Sequence, residues 1–173
     1  MSDQFGHQLR IDQIRDGDRL ELSADEGERA AIAGRLGLPS IKCLSATVAL
    51  NRSGESIRAH GRLTAALDQS CVVTGDPVAA HVDEAFAIRF VAEPKDAGPD
   101  AEIELGEADC DTVFHDGAMI DLGEALADTL ALSLDPYPRS AGADAALKEA
   151  GVMSEEEASP FAVLAKLRKS DET

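Results

Sequence analysis

Between Ile57 and Ala92 the chain alternates apolar and polar positions in two runs of opposite parity. In the first, Ile57, Ala59, Gly61, Leu63, Ala65, Leu67, Cys71 and Val73 are apolar or small, and Arg58, His60, Arg62, Thr64, Asp68 and Ser70 fall between them. In the second, the apolar set moves to Val78, Ala80, Val82, Phe86, Ile88, Phe90 and Ala92, interleaved with His81, Asp83 and Arg89. Successive side chains of a strand point to opposite faces, so each run predicts a strand with one face for a core and one for water. A turn at Thr74-Gly75-Asp76-Pro77 that closes Val73 onto Val78 pairs odd positions with even ones. Both apolar sets then share one side of the sheet. This register sets Leu63 opposite Ile88, Ala65 opposite Phe86, and Arg62 opposite Arg89.

Shorter patterns flank this hairpin. Residues 7–14 and 18–22 are strand candidates. Ser23-Ala-Asp-Glu26 has the form of a capping box and predicts a helix over 24–36 that exits at Gly37. Residues 40–50 return to strand character, and Asn51 to Gly54 reads as a turn. Val113-Phe114 and Met119-Ile120 are apolar pairs around a turn signal, His115-Asp116-Gly117. Asp121-Leu-Gly-Glu124 is a second capping box, opening a helix with Leu122, Leu126 and Leu130 on one side and Pro136 beyond its end. Asp135 to Arg139 is expected to be extended, and 140–158, rich in Ala, Gly and Glu, to be a flexible linker. Ser159-Pro160 then starts a helix over 159–169. Its apolar residues Phe161, Leu164 and Leu167 must dock on the domain or on a partner. The expected fold is α+β, an antiparallel sheet around a long central hairpin with packed helices and a tethered C-terminal helix. Residues 1–139 form the domain, with a loop at about 93–111.

Charge narrows the functional classes. The formal net charge is -17 over 173 residues, so the overall field does not attract nucleic acid, and a basic partner is electrostatically easier. Much of that charge lies between Glu93 and Asp111, where eight acids face the single base Lys95. Such a segment mimics a nucleic-acid backbone well enough to hold a basic protein, or it serves only solubility. Against this background Arg58, His60, Arg62 and Arg89 stand out on the predicted polar face of the hairpin, as a small RNA-contacting patch or an ordinary solvated sheet face. Tyr137 and Arg139, on the proline-stiffened 135–139 segment, are a further candidate for stacking on a base or anchoring a partner. Aromatic residues are only 3% of the chain and Trp is absent, so Leu, Val, Ile and Ala must build the core. Cys43, Cys71 and Cys110 are odd in number and widely spaced, which fits free thiols in a reducing compartment. With no secretory start and no long apolar run, the expectation is a cytoplasmic protein with no membrane association. Ser70 opposite His81 invites a nucleophile, but no glycines of a nucleophile elbow surround it and no oxyanion donors are evident. No phosphate-cradling loop is present. The expectation is therefore no enzyme, no catalytic residues, no cofactor, no metal and no small-molecule substrate.

Several stretches together resemble one bacterial family. They are Gln69-Ser-Cys71-Val-Val-Thr74-Gly-Asp-Pro77-Val78, Glu84-Ala-Phe86 with Arg89-Phe90, Ile120-Asp121-Leu-Gly-Glu124, Leu132-Ser-Leu-Asp-Pro136-Tyr-Pro-Arg139, and Ser159-Pro-Phe161-Ala-Val-Leu-Ala-Lys166-Leu. In this order they resemble the YceD family, whose members are called large ribosomal RNA subunit accumulation proteins. The resemblance implies a non-enzymatic role in synthesis, processing or stability of 23S ribosomal RNA and in large-subunit assembly. It implies no catalytic residues to carry over. The family's gene often neighbours that of a small basic ribosomal protein, which implies an alternative role as an acidic chaperone or adaptor for such a protein without RNA contact. The partners expected are thus large-subunit rRNA or a basic protein of that subunit. Many relatives read Cys-x-x-Cys at the hairpin turn. Here Thr74 stands in the second position, and one thiolate does not make a zinc site.

Overall fold

A computed structural model describes residues 3–6, 8–93 and 111–152. The acidic stretch 94–110 and the expected C-terminal helix with Phe161, Leu164 and Leu167 lie outside the described residues. Two units are distinguished: Met1–Gln69 with Ala79–Pro136, and Ser70–Val78 with Tyr137–Thr173.

The first unit is α+β. Its strands are β1 (Asp3–Gln4), β2 (Gln8–Arg10), β3 (Arg19–Ser23), β4 (Ser40–Ser53), β5 (Ser56–Ser70), β6 (Pro77–Ala92), β7 (Thr112–His115) and β8 (Met119–Asp121), the tip of the β5–β6 hairpin belonging to the second unit. The helices α1 (Glu26–Leu36) and α2 (Leu122–Leu132) complete it. The sheet order is β1-β3-β4-β5-β6-β7, and β2 pairs with β8 apart from it. The ladders β3–β4 and β4–β5 are antiparallel, while β1 and β7 add to the edges in parallel.

Period two is realised as expected. Ile57, Ala59, Leu63, Ala65 and Leu67 of β5, and Val82, Phe86, Ile88 and Phe90 of β6, are buried in one core. Leu44, Val48 and Leu50 of β4 join them, and Ala33 of α1 with Leu122, Leu126 and Leu130 of α2 bury their apolar sides in the same cluster. Gln69, a polar residue at an inward position, is satisfied by donating Nε2 to the Asp135 carbonyl at 2.8 Å. Gly61 is required by a close approach: a Cβ there would lie 1.8 Å from the Thr47 carbonyl oxygen.

The hairpin register differs from the expected one. The turn is closed by Cys71 N–H bonding to the Asp76 carbonyl, and Gly75 N–H returns to the Cys71 carbonyl. Val72 and Val73, which apolarity placed in the strand, belong to the turn. Accordingly Arg62 does not face Arg89 but is ion-paired with Asp83. In the expected register Asp83 would sit six residues further along, roughly 20 Å away at the strand rise and out of reach. The slip is by an even number of residues, so the apolar sets keep their shared face.

Helix α1 also starts later than its first cap signal. Ser23 stays in β3 opposite Ser45, and Ala24 N–H just beyond it bonds to the Leu44 carbonyl, so both are held by β4. Asp25 is the N-cap, exchanging bonds with Glu28 in a true capping box, and Gly37 ends the helix at φ 65°. Glu28 also accepts from Phe5 and Gly6 N–H, tying the N-terminal segment to the helix start. Asp121 caps α2 as expected, its Oδ1 accepting from Glu124 N–H at 2.8 Å.

In the second unit the turn 70–78 goes with the segment after Pro136. Val72 N–H bonds to the Pro138 carbonyl, and Thr74 Oγ1 and Ser140 Oγ are hydrogen-bonded. Part of the span expected as a linker is helical, α3 at Ala143–Glu149 with Ala143 buried.

Candidate functional site

The face of the sheet away from the core is built by the outward positions of β3, β4, β5 and β6. Pairing aligns Arg19, Ala49 and His60 in one row across three strands, Glu21, Thr47 and Arg62 in the next, and sets Asn51 beside Arg58. Arg58, His60 and Arg62 therefore lie on one face of β5, exposed, at spacings of two residues. Asp83 on β6 accepts from Arg62 Nε, and this bond holds the Asp83 carboxyl below the usual carboxylate range. Arg62 is thus matched with an acid of the neighbouring strand rather than with Arg89. Arg58, His60 and Arg19 make no ion pair among the described residues. Arg89 is half-buried on β6, and its N–H bonds to the Asp111 carbonyl beside β7. At the far end of β5, Asp68 is occupied by Lys42 at 2.7 Å and Ser40 at 2.8 Å.

Arg19 is the member that the sequence did not offer. It alternates with Leu20 and Glu21 as any edge residue would. Only the pairing of β3 with β4, and of β4 with β5, brings it into line with His60. Two inter-strand spacings separate Arg19 from His60 within that row, on the order of 10 Å. The result is a cluster of basic side chains on a water-facing sheet surface, with Glu21 and Asp83 as the acids beside Arg62.

Tyr137 and Arg139 belong to the second unit. Tyr137 is exposed, and Arg139 Nη2 is ion-paired with Asp144 Oδ1 at 3.0 Å. In the same unit Cys71 is buried, and its Sγ accepts from Ser140 N–H at 3.2 Å and Thr74 N–H at 3.5 Å. Hydrogen bonds from Ser140 and then Thr74 bring its pKa down to about 6 against the opposing effect of burial. Where a second cysteine would supply a ligand, Thr74 supplies a backbone amide. Among the described residues no group of three or more metal-ligating side chains converges.

A family model described as Large ribosomal RNA subunit accumulation protein YceD matches residues 59–168, more than half of the chain. The chain belongs to the YceD family. That description ties the family to accumulation of large-subunit ribosomal RNA. No curated protein and no solved structure matches this YceD chain. The match begins within β5 and takes in the central turn and α2, whereas Arg19 and Arg58 precede it. No helix among the described residues is long and apolar enough to cross a membrane.

Proposed function

We propose that this YceD protein is a non-enzymatic cytoplasmic factor that supports accumulation of 23S ribosomal RNA by contacting RNA through the outward face of its sheet. The supporting observation is the alignment of Arg19 with His60, next to Arg58 and Arg62, on an exposed surface where only Arg62 is neutralised by an ion pair. Phosphate oxygens are recognised by cations that release counterions, and an open sheet face is a surface on which a strand of RNA can lie. A net charge of -17 opposes RNA binding through the overall field, so contact would have to rest on such a local cluster of cations.

The test is the affinity of the purified full chain for large-subunit rRNA fragments, compared with Arg58→Glu and Arg62→Glu variants across a salt series. The expected result is weaker binding, with the slope of log K against log salt falling by about one per arginine removed. Unchanged affinity overturns the RNA-facing reading. The alternative, an acidic adaptor for a basic ribosomal protein, draws on the charge of 93–111. It would give no RNA binding by the chain alone and co-purification of one basic protein that salt disrupts.

A further inference from the structure

On the first unit a cleft of about 560 Å³ opens between β7, β8 and the first turns of α2. Its inner surface includes Phe90 and Ile120, both buried in the core. Its walls carry Val113, Phe114 and Met119, which are 39%, 44% and 40% exposed. Three large apolar side chains lining one concavity are more than the scattered apolar exposure that any surface carries. Around them stand Asp116, Asp121, Glu124 and Asp128, and no Lys or Arg lines the cleft. Arg35 of α1 engages Glu124 at 3.7 Å and Asp128 at 3.1 Å, so one cation is shared by two of the four carboxylates. Asp116 accepts from Ala118 and Met119 N–H, which holds its carboxyl below the usual carboxylate range and keeps it charged.

We propose that this cleft receives a cationic amphipathic segment of a partner protein, its apolar side chains on Phe114 and Met119 and its Lys or Arg residues against the carboxylate rim. An apolar floor with a rim of one sign selects an occupant that is apolar on one side and of the opposite sign on the other. Nucleic acid is excluded by like charge. Residues 94–110 of the chain itself are a poor match for the same reason, with six acids against Lys95. The inference is independent of the sheet-face reading, because none of the residues of that face lines the cleft.

The experiment titrates the full chain into a fluorescent helix-forming peptide of Leu and Lys, with oligolysine of equal charge as the probe of charge alone. The amphipathic peptide is expected to bind the parent more tightly than oligolysine does. Phe114→Glu with Met119→Glu should weaken it by about tenfold or more, as for the centre of an interface. Asp116→Asn with Glu124→Gln should weaken it mainly at low salt. Arg58→Glu should bind the peptide as the parent does, which separates this result from any outcome with RNA. If the double-Glu variant melts below the parent, Phe114→Ser with Met119→Ser is read in its place. Equal affinity for oligolysine, equal affinity in the apolar variants, or no binding to the parent overturns the proposal.

Discussion

The tightest constraint in the central sheet is at Gly61, and Gly61→Ala is the sharpest probe of it. The added methyl would sit 1.8 Å from the Thr47 carbonyl oxygen and 2.9 Å from its carbon, both backbone atoms of β4. A tolerable contact requires the strands to part by about 1 Å, and packed interiors answer such intrusions with a cost of about 1–3 kcal/mol. A ladder hydrogen bond of ordinary length, about 2.9 Å, is lost when stretched that far, and a buried amide without a partner adds about 1–3 kcal/mol. Against this, Gly→Ala at a compatible site gains about 0.4–1 kcal/mol by restricting the unfolded chain. The net expectation is a loss of about 1–5 kcal/mol, centred near 3, and that central value lowers Tm by roughly 6–12 °C for a chain of this size. Circular dichroism melts of parent and variant check it. A Tm at or above that of the parent would refute the close approach of β4 and β5, and with it the pairing that aligns Thr47 with Arg62.

Two further outcomes follow from the same structure. Asp121→Ala removes the acceptor for Glu124 N–H and should cost about 1 kcal/mol in urea unfolding, while Asp121→Asn, which keeps an acceptor, should cost less. Equal losses would contradict the cap. Iodoacetamide should label exposed Cys43 in the native chain and reach buried Cys71 only on unfolding, despite its low pKa. Because the folded pKa of Cys71 lies below the ordinary value of 9.0, its thiolate contributes stability in full above that value and loses it as pH falls through about 6. The stability difference between the parent and Cys71→Ser should therefore widen as pH rises from 6 to 9, and a flat difference would contradict the amide cradle.

What could be read from the sequence was mostly local. Alternation in β5 and β6 identified their core faces because burial acts on each residue by parity, and parity survives any even slip. The register itself did not follow, since Val72 and Val73 look like strand residues and only the bonds from Cys71 to Asp76 and Gly75 show them in the turn. Both Ser23-x-x-Glu26 and Asp25-x-x-Glu28 are cap signals, and the second prevails because Ser23 and Ala24 are held by β4. The parallel pairings of β1 with β3 and of β7 with β6 are long-range and carried by two to four residues, too few for a periodic signal. His115 read as a turn residue, yet it is buried, its Nε2 lying 3.2 Å from the Glu55 carbonyl and its Nδ1 accepting from Gly117 N–H. Arg58, His60 and Arg62 were legible as a set because one strand carries them. Arg19 was not, because its place in the row depends on two strand pairings.

Ultraviolet crosslinking in growing cells, with peptide-level mapping of the adducts, decides whether the outward sheet face touches RNA. Expected are 23S rRNA adducts on peptides of β3 and β5 that contain Arg19, Arg58, His60 or Arg62, and their loss in Arg58→Glu with Arg62→Glu. Adducts confined to other segments, or none in cells where the protein is abundant, would contradict that contact.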